Sequence, residues 1–366
     1  MNPALHAVLT LTFVPGLGPR KIRGLLGHFG DAETAKAAAL IDLRAVEGIG
    51  PKLAETIVRA RADAATKADA ELNRADRLGV TLLALGSADY PDSLAHIYDP
   101  PSVLYVRGTL PKNIFGDLSA LRSLGVVGTR NSSPYGSDLS RRFSQELAAS
   151  GVVIVSGLAL GVDTAAHEGA LAASGGQTVA VLGSSVDLVY PGQNRRLAEQ
   201  IAGGRGAVVS EYRLGTAPRA ENFPGRNRII SGLSRGVLVV EGGKKSGALI
   251  TAEYALEEGR TVFAVPGRVG DPKAEGALEL LKQGAVLTQS PADVVSEFGW
   301  QHAPVVRADP PGFSGELAAL IRSRGEPLLD DLVTATGKGV PELTATLMVL
   351  ELQGFVQALP SGRYRA

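Results

Sequence analysis

The sequence predicts an α/β protein whose central domain is a layered, parallel-sheet domain with a small helical domain before it and a second small domain after it. Three observations predict this. Nine short apolar runs between Val80 and Leu287 alternate with stretches of helical periodicity. The 45 glycines, about one residue in eight against a usual ~7%, fall singly at the ends of those runs rather than in tracts. The segments on either side carry helical spacing with no such alternation.

Composition sets the outer bounds. At roughly 100–200 residues per domain, a chain of 366 residues suggests two or three domains. No cysteine is present, which excludes disulfides, thiolate metal sites and a cysteine nucleophile. No apolar run approaches the roughly 20 residues that cross a bilayer, and no basic region precedes an apolar block at the N-terminus. A cytoplasmic protein with no membrane partner is expected. The 37 basic and 37 acidic side chains cancel. Neutrality argues against a uniformly basic nucleic-acid binder, although local clustering can defeat that argument.

Residues 1–78 form the expected helical domain. Val14-Pro15-Gly16-Leu17-Gly18-Pro19-Arg20-Lys21 and Val46-Glu47-Gly48-Ile49-Gly50-Pro51-Lys52-Leu53 repeat, with glycines 32 residues apart. Each copy places Pro at the first helical position. The pattern resembles the helix-hairpin-helix motif, whose glycines let a hairpin approach phosphate. Gly16, Gly18, Arg20 and Lys21 are therefore candidate secondary DNA contacts; a bundle that uses Gly only to turn is the other reading.

Residues 79–298 hold the strand-like runs Val80–Leu85, Val103–Val106, Leu124–Val127, Val152–Val155, Thr178–Leu182, Ala207–Val209, Val237–Val240, Thr261–Val265 and Ala285–Leu287. Helical patterns between most of them, such as Tyr135–Ala149, Val162–Ala173, Asn194–Ala202 and Ala248–Glu258, imply βαβ units, hence a Rossmann-like parallel sheet. Residues 299–315 are proline-rich and read as a linker. Residues 316–366 suggest three helices and a terminal hairpin turning at Pro360-Ser361-Gly362, the outline of a winged helix. Such a domain reads DNA or docks a partner.

In a sheet of this type the ligand sits beyond the carboxyl ends of the strands, and the chemistry-bearing residues follow the strands. Gly128-Thr129-Arg130 opens a loop suited to phosphate. It is not the dinucleotide fingerprint, which needs G-x-G-x-x-G, so NAD is disfavoured. Gly183 and Ser184 are expected to line the same groove. Asp163 and His167 follow the fourth run and read mainly as parts of a packed turn. The densest signal is Asn222-Phe223-Pro224-Gly225-Arg226-Asn227-Arg228, expected as a loop in which Phe223 stacks on a base while Arg226, Asn227 and Arg228 meet phosphates or bases. Between Arg205 and Lys245 there are eight basic and three acidic residues, a local surplus in a neutral chain. Lys244-Lys245-Ser246-Gly247 then enters a helix, where its N–H groups and ammonium can hold a phosphate; the G-x-x-x-x-G-K-[ST] pattern is absent.

These strings resemble the DNA-processing protein A family of bacterial transformation and recombination. The resemblance is carried by Tyr105-Val106-Arg107-Gly108, Val126-Val127-Gly128-Thr129-Arg130, Ser156-Gly157-Leu158-Ala159, Phe223-Pro224-Gly225-Arg226-Asn227-Arg228-Ile229-Ile230-Ser231-Gly232, Val239-Val240-Glu241, Ser246-Gly247-Ala248-Leu249-Ile250-Thr251 and Val265-Pro266-Gly267. It implies a homodimer that binds single-stranded DNA, displaces single-strand-binding protein and loads the RecA recombinase, with no cofactor and no chemistry. By motif position it marks Gly128, Arg130, Phe223, Arg226 and Lys245 as DNA contacts. Three to five neutralised phosphates would give a slope of roughly −2 to −4 in log affinity against log salt.

The alternative is an enzyme resembling nucleotide phosphoribohydrolases of Rossmann-like fold. Those need a Pro-Gly-Gly-x-Gly-Thr-x-x-Glu loop. Here Glu241-Gly242-Gly243-Lys244-Lys245-Ser246-Gly247 lacks the Pro and the Gly-Thr, and Glu253 follows Gly247 by six residues.

Overall fold

A computed structural model describes residues 2–300, 312–352, 355–359 and 362–365. The chain separates into two units, 1–303 and 304–366. No described helix is long and apolar enough to cross a membrane.

The first unit opens with α1 (Pro3–Thr12), α2 (Pro19–Phe29), α3 (Ala32–Ala37), α4 (Leu40–Arg44) and α5 (Pro51–Arg77). The two repeats fold alike. Gly16 and Gly48 take φ of 79° and 77°, a region that favours glycine. Gly18 and Gly50 are extended caps without a side-chain hydrogen bond, each followed by Pro in the first helical turn. Along α5 the buried apolar residues Ala54, Ile57, Ala64, Ala68 and Ala75 are mostly small, so the helix lies close against its neighbours. Its stripe joins Leu9 and Leu25 to Val80, Tyr105 and Val208 in one core. The helical segment is thus packed onto the sheet that follows.

That segment alternates as follows: β1 (Val80–Ala84), α6 (Asp92–Ala95), β2 (Val103–Gly108), β3 (Ser123–Val127), α7 (Pro134–Ala149), β4 (Val153–Ser156), α8 (Val162–Ala172), β5 (Thr178–Val181), α9 (Arg195–Gln200), β6 (Gly206–Ser210), α10 (Asn222–Gly232), β7 (Gly236–Val239), α11 (Gly247–Glu257), β8 (Thr261–Ala264), α12 (Glu275–Lys282), β9 (Val286–Leu287) and α13 (Pro291–Glu297). The nine strands form one sheet in the order β1-β2-β6-β5-β4-β3-β7-β8-β9. Strands β3 to β9 are parallel, but β2 pairs antiparallel with β6 and β1 antiparallel with β2. The expected parallel sheet is thus extended at this edge by two antiparallel strands. The β1–β2 connection holds only a four-residue helix, too short to serve as a crossover helix.

Apolar residues cover both faces of the sheet. One core gathers Ile229, Ile230 and Ala252 of α10 and α11, the other Leu139, Phe143 and Ala166 of α7 and α8. Strand order reverses at β3, which has β4 on one side and β7 on the other. Val127 is level with Val239, so the loops after β3 and β7 leave the sheet side by side. That is the switch point where such sheets bind ligands.

Two expectations change here. Residues 222–232 form helix α10 rather than a loop. Pro224 falls in the first turn, where its missing N–H costs nothing, and the helix is buried on several sides, so no amphipathic stripe announces it. Within the span 299–315 expected as a linker, α14 (Phe313–Arg324) begins, and residues 301–311 lie outside those described.

The second unit contains α14, α15 (Leu329–Thr336), α16 (Val340–Leu352), β10 (Gln357–Ala358) and β11 (Tyr364–Arg365). Leu317, Ile321, Leu332, Leu343, Leu347 and Val356 form its core. The expected turn residues Pro360 and Ser361 lie outside the described residues. Three helices and a two-stranded wing make the winged-helix outline.

Candidate nucleic-acid interface

A groove of about 810 Å³ opens at the switch point, lined from the ends of five strands and by α10. From β3 come Gly128, Thr129 and Arg130. Gly128 is required by close packing: a Cβ would stand 2.5 Å from Val162 and 2.8 Å from the Glu241 carbonyl. Arg130 is exposed, and its guanidinium lies 5.1 Å from the centre of the Phe223 ring. Phe223, in the first turn of α10, is half-buried and 5.7 Å from the Tyr190 ring. A cation and two aromatic rings therefore share one wall.

The floor is Arg226. Its Nη1 donates to the carbonyls of Gly157 (2.6 Å) and Val181, and its Nε to Asn227 Oδ1 (3.2 Å). Burial pulls its pKa down to about 10, with the Asp163 carboxylate opposing, so it stays charged at neutral pH. Asp163 accepts the N–H groups of Gly157 and Ala159. Burial raises its pKa and Arg226 lowers it. His167 is wholly buried, with Nδ1 2.7 Å from Thr178 Oγ1, and burial with the charge of Arg226 holds its pKa down at about 3. Asp163 and His167 belong to this supporting network.

The far wall is the loop after β7. Lys245, Ser246 and Gly247 line the groove. Ser246 caps α11, accepting the Ala248 N–H at 3.3 Å, so the positive end of that helix faces the opening. Asn227 is buried and donates to the Gly247 carbonyl at 3.1 Å, tying α10 to this loop. Lys244 points outward, exposed, 3.9 Å from Glu275.

Several expected contacts are placed elsewhere. Arg228 faces away from the groove on α10. It forms a two-pronged pair with Glu211 (2.6 and 2.7 Å) and donates to the Asp99 carbonyl at 2.7 Å. Burial alone would lower its pKa, but the hydrogen bonds and charge of Glu211 raise it above the ordinary value. Arg228 is thus engaged within the fold and does not line the groove where the sequence leads one to expect it. Gly183 is buried; a Cβ there would come within 2.9 Å of Phe223, so it seats that ring. Ser184 is buried and donates to the Leu188 carbonyl. In the helical segment, Arg20 lies over Tyr98 at 4.5 Å and Lys21 donates to the Gly16 carbonyl at 3.1 Å. Gly16, Gly18, Arg20 and Lys21 do not line this groove.

The basic surplus of residues 205–245 disperses in space. Arg205 donates to the carbonyls of Leu171, Ala173 and Gly176, Arg213 lies over Phe13, and Arg235 over Phe298. Of the eight, Arg226 and Lys245 line the groove, and Arg130 joins them from outside the run. Sequence reasoning missed Tyr190 as a lining residue. Its signal was an aromatic residue in a strand-end loop, which Pro191 beside it disguised as a turn.

Carboxylates for the enzymatic alternative are placed unfavourably. Glu241 is bound to Ser133, and Glu253 is exposed on α11 outside the groove lining.

Comparisons with known proteins fit this geometry. The family model described as DNA recombination-mediator protein A matches residues 81–299. A SAM-like helix-hairpin-helix tandem matches 8–63, and the DprA winged helix domain matches 328–362. Protein Smf of Synechocystis is 36% identical over 96% of this chain and 96% of its own length. The X-ray structure of DNA processing protein A from Streptococcus pneumoniae covers 80% of this chain and 98% of that one, with a TM-score of 0.68 and 35% identity. A structure of the Helicobacter pylori protein, described for its single-stranded DNA binding mode, covers 61% and 97%, with a TM-score of 0.52 and 29% identity. With its central domain, its two flanking modules and nearly its whole length matched, this chain belongs to the DprA family of DNA recombination mediators.

Proposed function

We propose that the switch-point groove holds single-stranded DNA. Arg130, Lys245 and the N-terminus of α11 meet phosphates, while Phe223 and Tyr190 offer faces on which bases stack. The carrying observation is the wall itself: an arginine over an aromatic ring, open to the groove, facing a lysine loop at a helix N-terminus. The single-stranded DNA binding mode described for the Helicobacter pylori relative supports the same ligand. Within the family's role, the chain protects the strand in the cytoplasm, displaces single-strand-binding protein and loads RecA, acting as a homodimer. Residues 1–78, 79–298 and the segment after the linker serve as its three modules in this proposal.

Titration of a fluorescent oligo-dT with the full chain tests the reading. With about three phosphates neutralised, log affinity should fall with log salt at a slope of roughly −2, the shallow end of the range expected from sequence. Affinity indifferent to salt overturns it. Base release from nucleoside monophosphates, lost in Glu253→Gln, would establish the enzymatic alternative instead.

A further inference from the structure

The loop that presents Arg130 has no helix or strand between Gly128 and Ser133. Its hold comes from the neighbouring strand end. Glu241 follows β7 by two residues and is buried, 8% exposed. Its carboxylate accepts the Ser133 N–H at 2.9 Å and the Ser133 hydroxyl, and its own carbonyl accepts the Thr129 N–H at 2.8 Å. The Ser133 hydroxyl oxygen in turn accepts the Gly136 N–H at 2.9 Å, completing the cap of α7. Both ends of the loop are thus tied to one residue of the other switch-point strand. Gly136 is shaped around the clamp, since a Cβ there would stand 2.2 Å from the carboxyl carbon of Glu241.

We propose that Glu241 is a positioning residue for strand binding: it fixes loop 128–133 so that Arg130 stays over Phe223 at the groove. The inference rests on the reading of the groove as a single-stranded DNA site. It makes a prediction opposite in sign to simple electrostatics. By charge alone, deleting a carboxylate beside an anion-binding groove tightens binding. By positioning, deleting it weakens binding, because the cation loses its orientation at the moment of contact.

The experiment measures oligo-dT affinity of the full chain by fluorescence anisotropy for wild type, Glu241→Ala, Glu241→Gln, Gly136→Ala, Arg130→Ala and the Glu241→Ala/Arg130→Ala pair. Amide hydrogen exchange at Thr129 and Ser133 is followed in the free proteins. Glu241→Ala and Gly136→Ala should each weaken binding about tenfold and speed exchange at Ser133. Glu241→Gln, uncharged but still able to accept from the Ser133 N–H, should recover most of the affinity. The paired variant should bind no more weakly than Arg130→Ala alone, because the clamp acts through that arginine. Binding by Glu241→Ala as tight as wild type or tighter overturns the proposal, as do losses that multiply in the pair. If Glu241→Ala fails to fold, Gly136→Ala decides, since it keeps the charge and displaces the carboxylate; wild-type affinity there overturns the proposal. A wild type that does not bind oligo-dT removes the proposed function itself, and exchange at Ser133 still reads the clamp, with unchanged protection in both variants overturning it.

Discussion

Helix α10 separates two cavities of comparable size, about 810 Å³ at the switch point and about 610 Å³ behind it, and they treat their cations in opposite ways. In the groove, Arg130 and Lys245 have no carboxylate within 4 Å among the described residues. Behind the helix, Arg228 is paired to Glu211 and Asp99, and Arg260 to Glu258. Arg226 and Arg228 stand two residues apart on α10 and face the two sides. A cation kept for a ligand phosphate is left unpaired at a wet surface, which costs little. A buried cation must be compensated, by carboxylates as for Arg228 or by backbone carbonyls with the Asp163 charge nearby as for Arg226, because an uncompensated buried charge is expensive.

The largest effect should come from the paired side. Arg228→Ala leaves the half-buried Glu211 without its cation, while Asp99 keeps Arg20 at 3.7 Å, and should lower stability by about 3–5 kcal/mol. Chemical denaturation measures it. The fraction that remains folded should bind oligo-dT with an unchanged salt slope. A reduced slope would place Arg228 among the phosphate contacts and dissolve the contrast between the two cavities.

The groove side should respond in affinity and not in stability. Phe223→Ala should weaken oligo-dT binding by about 1–3 kcal/mol if the ring stacks on a base. Tyr190→Ala tests the residue that the sequence did not mark, and a comparable loss there would make the wall a two-ring platform. Phe223→Ala with unchanged affinity would reduce the ring to a support for Arg130.

The buried network that supports the groove floor predicts a pH dependence. His167 has a folded pKa of about 3, below the unfolded value near 6.5, so the unfolded chain binds the extra proton first. Its contribution to stability is fully present above pH 6.5 and is lost as pH falls toward 3, at up to about 1.4 kcal/mol per pH unit. His167→Gln should therefore lose less stability than wild type across that window, as followed by thermal melts. Parallel pH profiles would mean that the imidazole accepts a proton without leaving the core.

How much of this was legible follows from which physics each feature obeys. The strands were, because buried parallel strands are short apolar runs and their bounds shift by only a residue or so, as at Thr178–Val181. The hairpin repeat was, because Gly and Pro act locally at Gly16–Pro19 and Gly48–Pro51. Helix α10 was not, since Arg226 and Asn227 on one side and Arg228 on the other are buried polar residues that erase the amphipathic signal. Local charge counting failed for a related reason. A run of basic residues along the chain crosses strands β6 and β7 and helix α10, and the fold sends Arg205, Arg213 and Arg235 to separate places. Pairing is a property of three dimensions, which is why Arg226 and Arg228 looked equivalent in sequence.

The smallest expected effect is the sharpest test of that last point, because it compares neighbours on one loop. Lys245 lines the groove, whereas Lys244 is 72% exposed and reaches toward Glu275 on α12. Each phosphate contact on a single strand contributes about −0.7 to the salt slope. Lys245→Ala should therefore flatten the slope by about 0.7 at a modest cost in affinity. Lys244→Ala should leave the slope where it was, because its charge lies outside the path of the strand and salt screens it at a distance of about 10 Å. If both lysines change the slope equally, the strand runs over the outer rim of the loop, and the groove bounded by Arg130, Phe223 and Lys245 is only part of the interface.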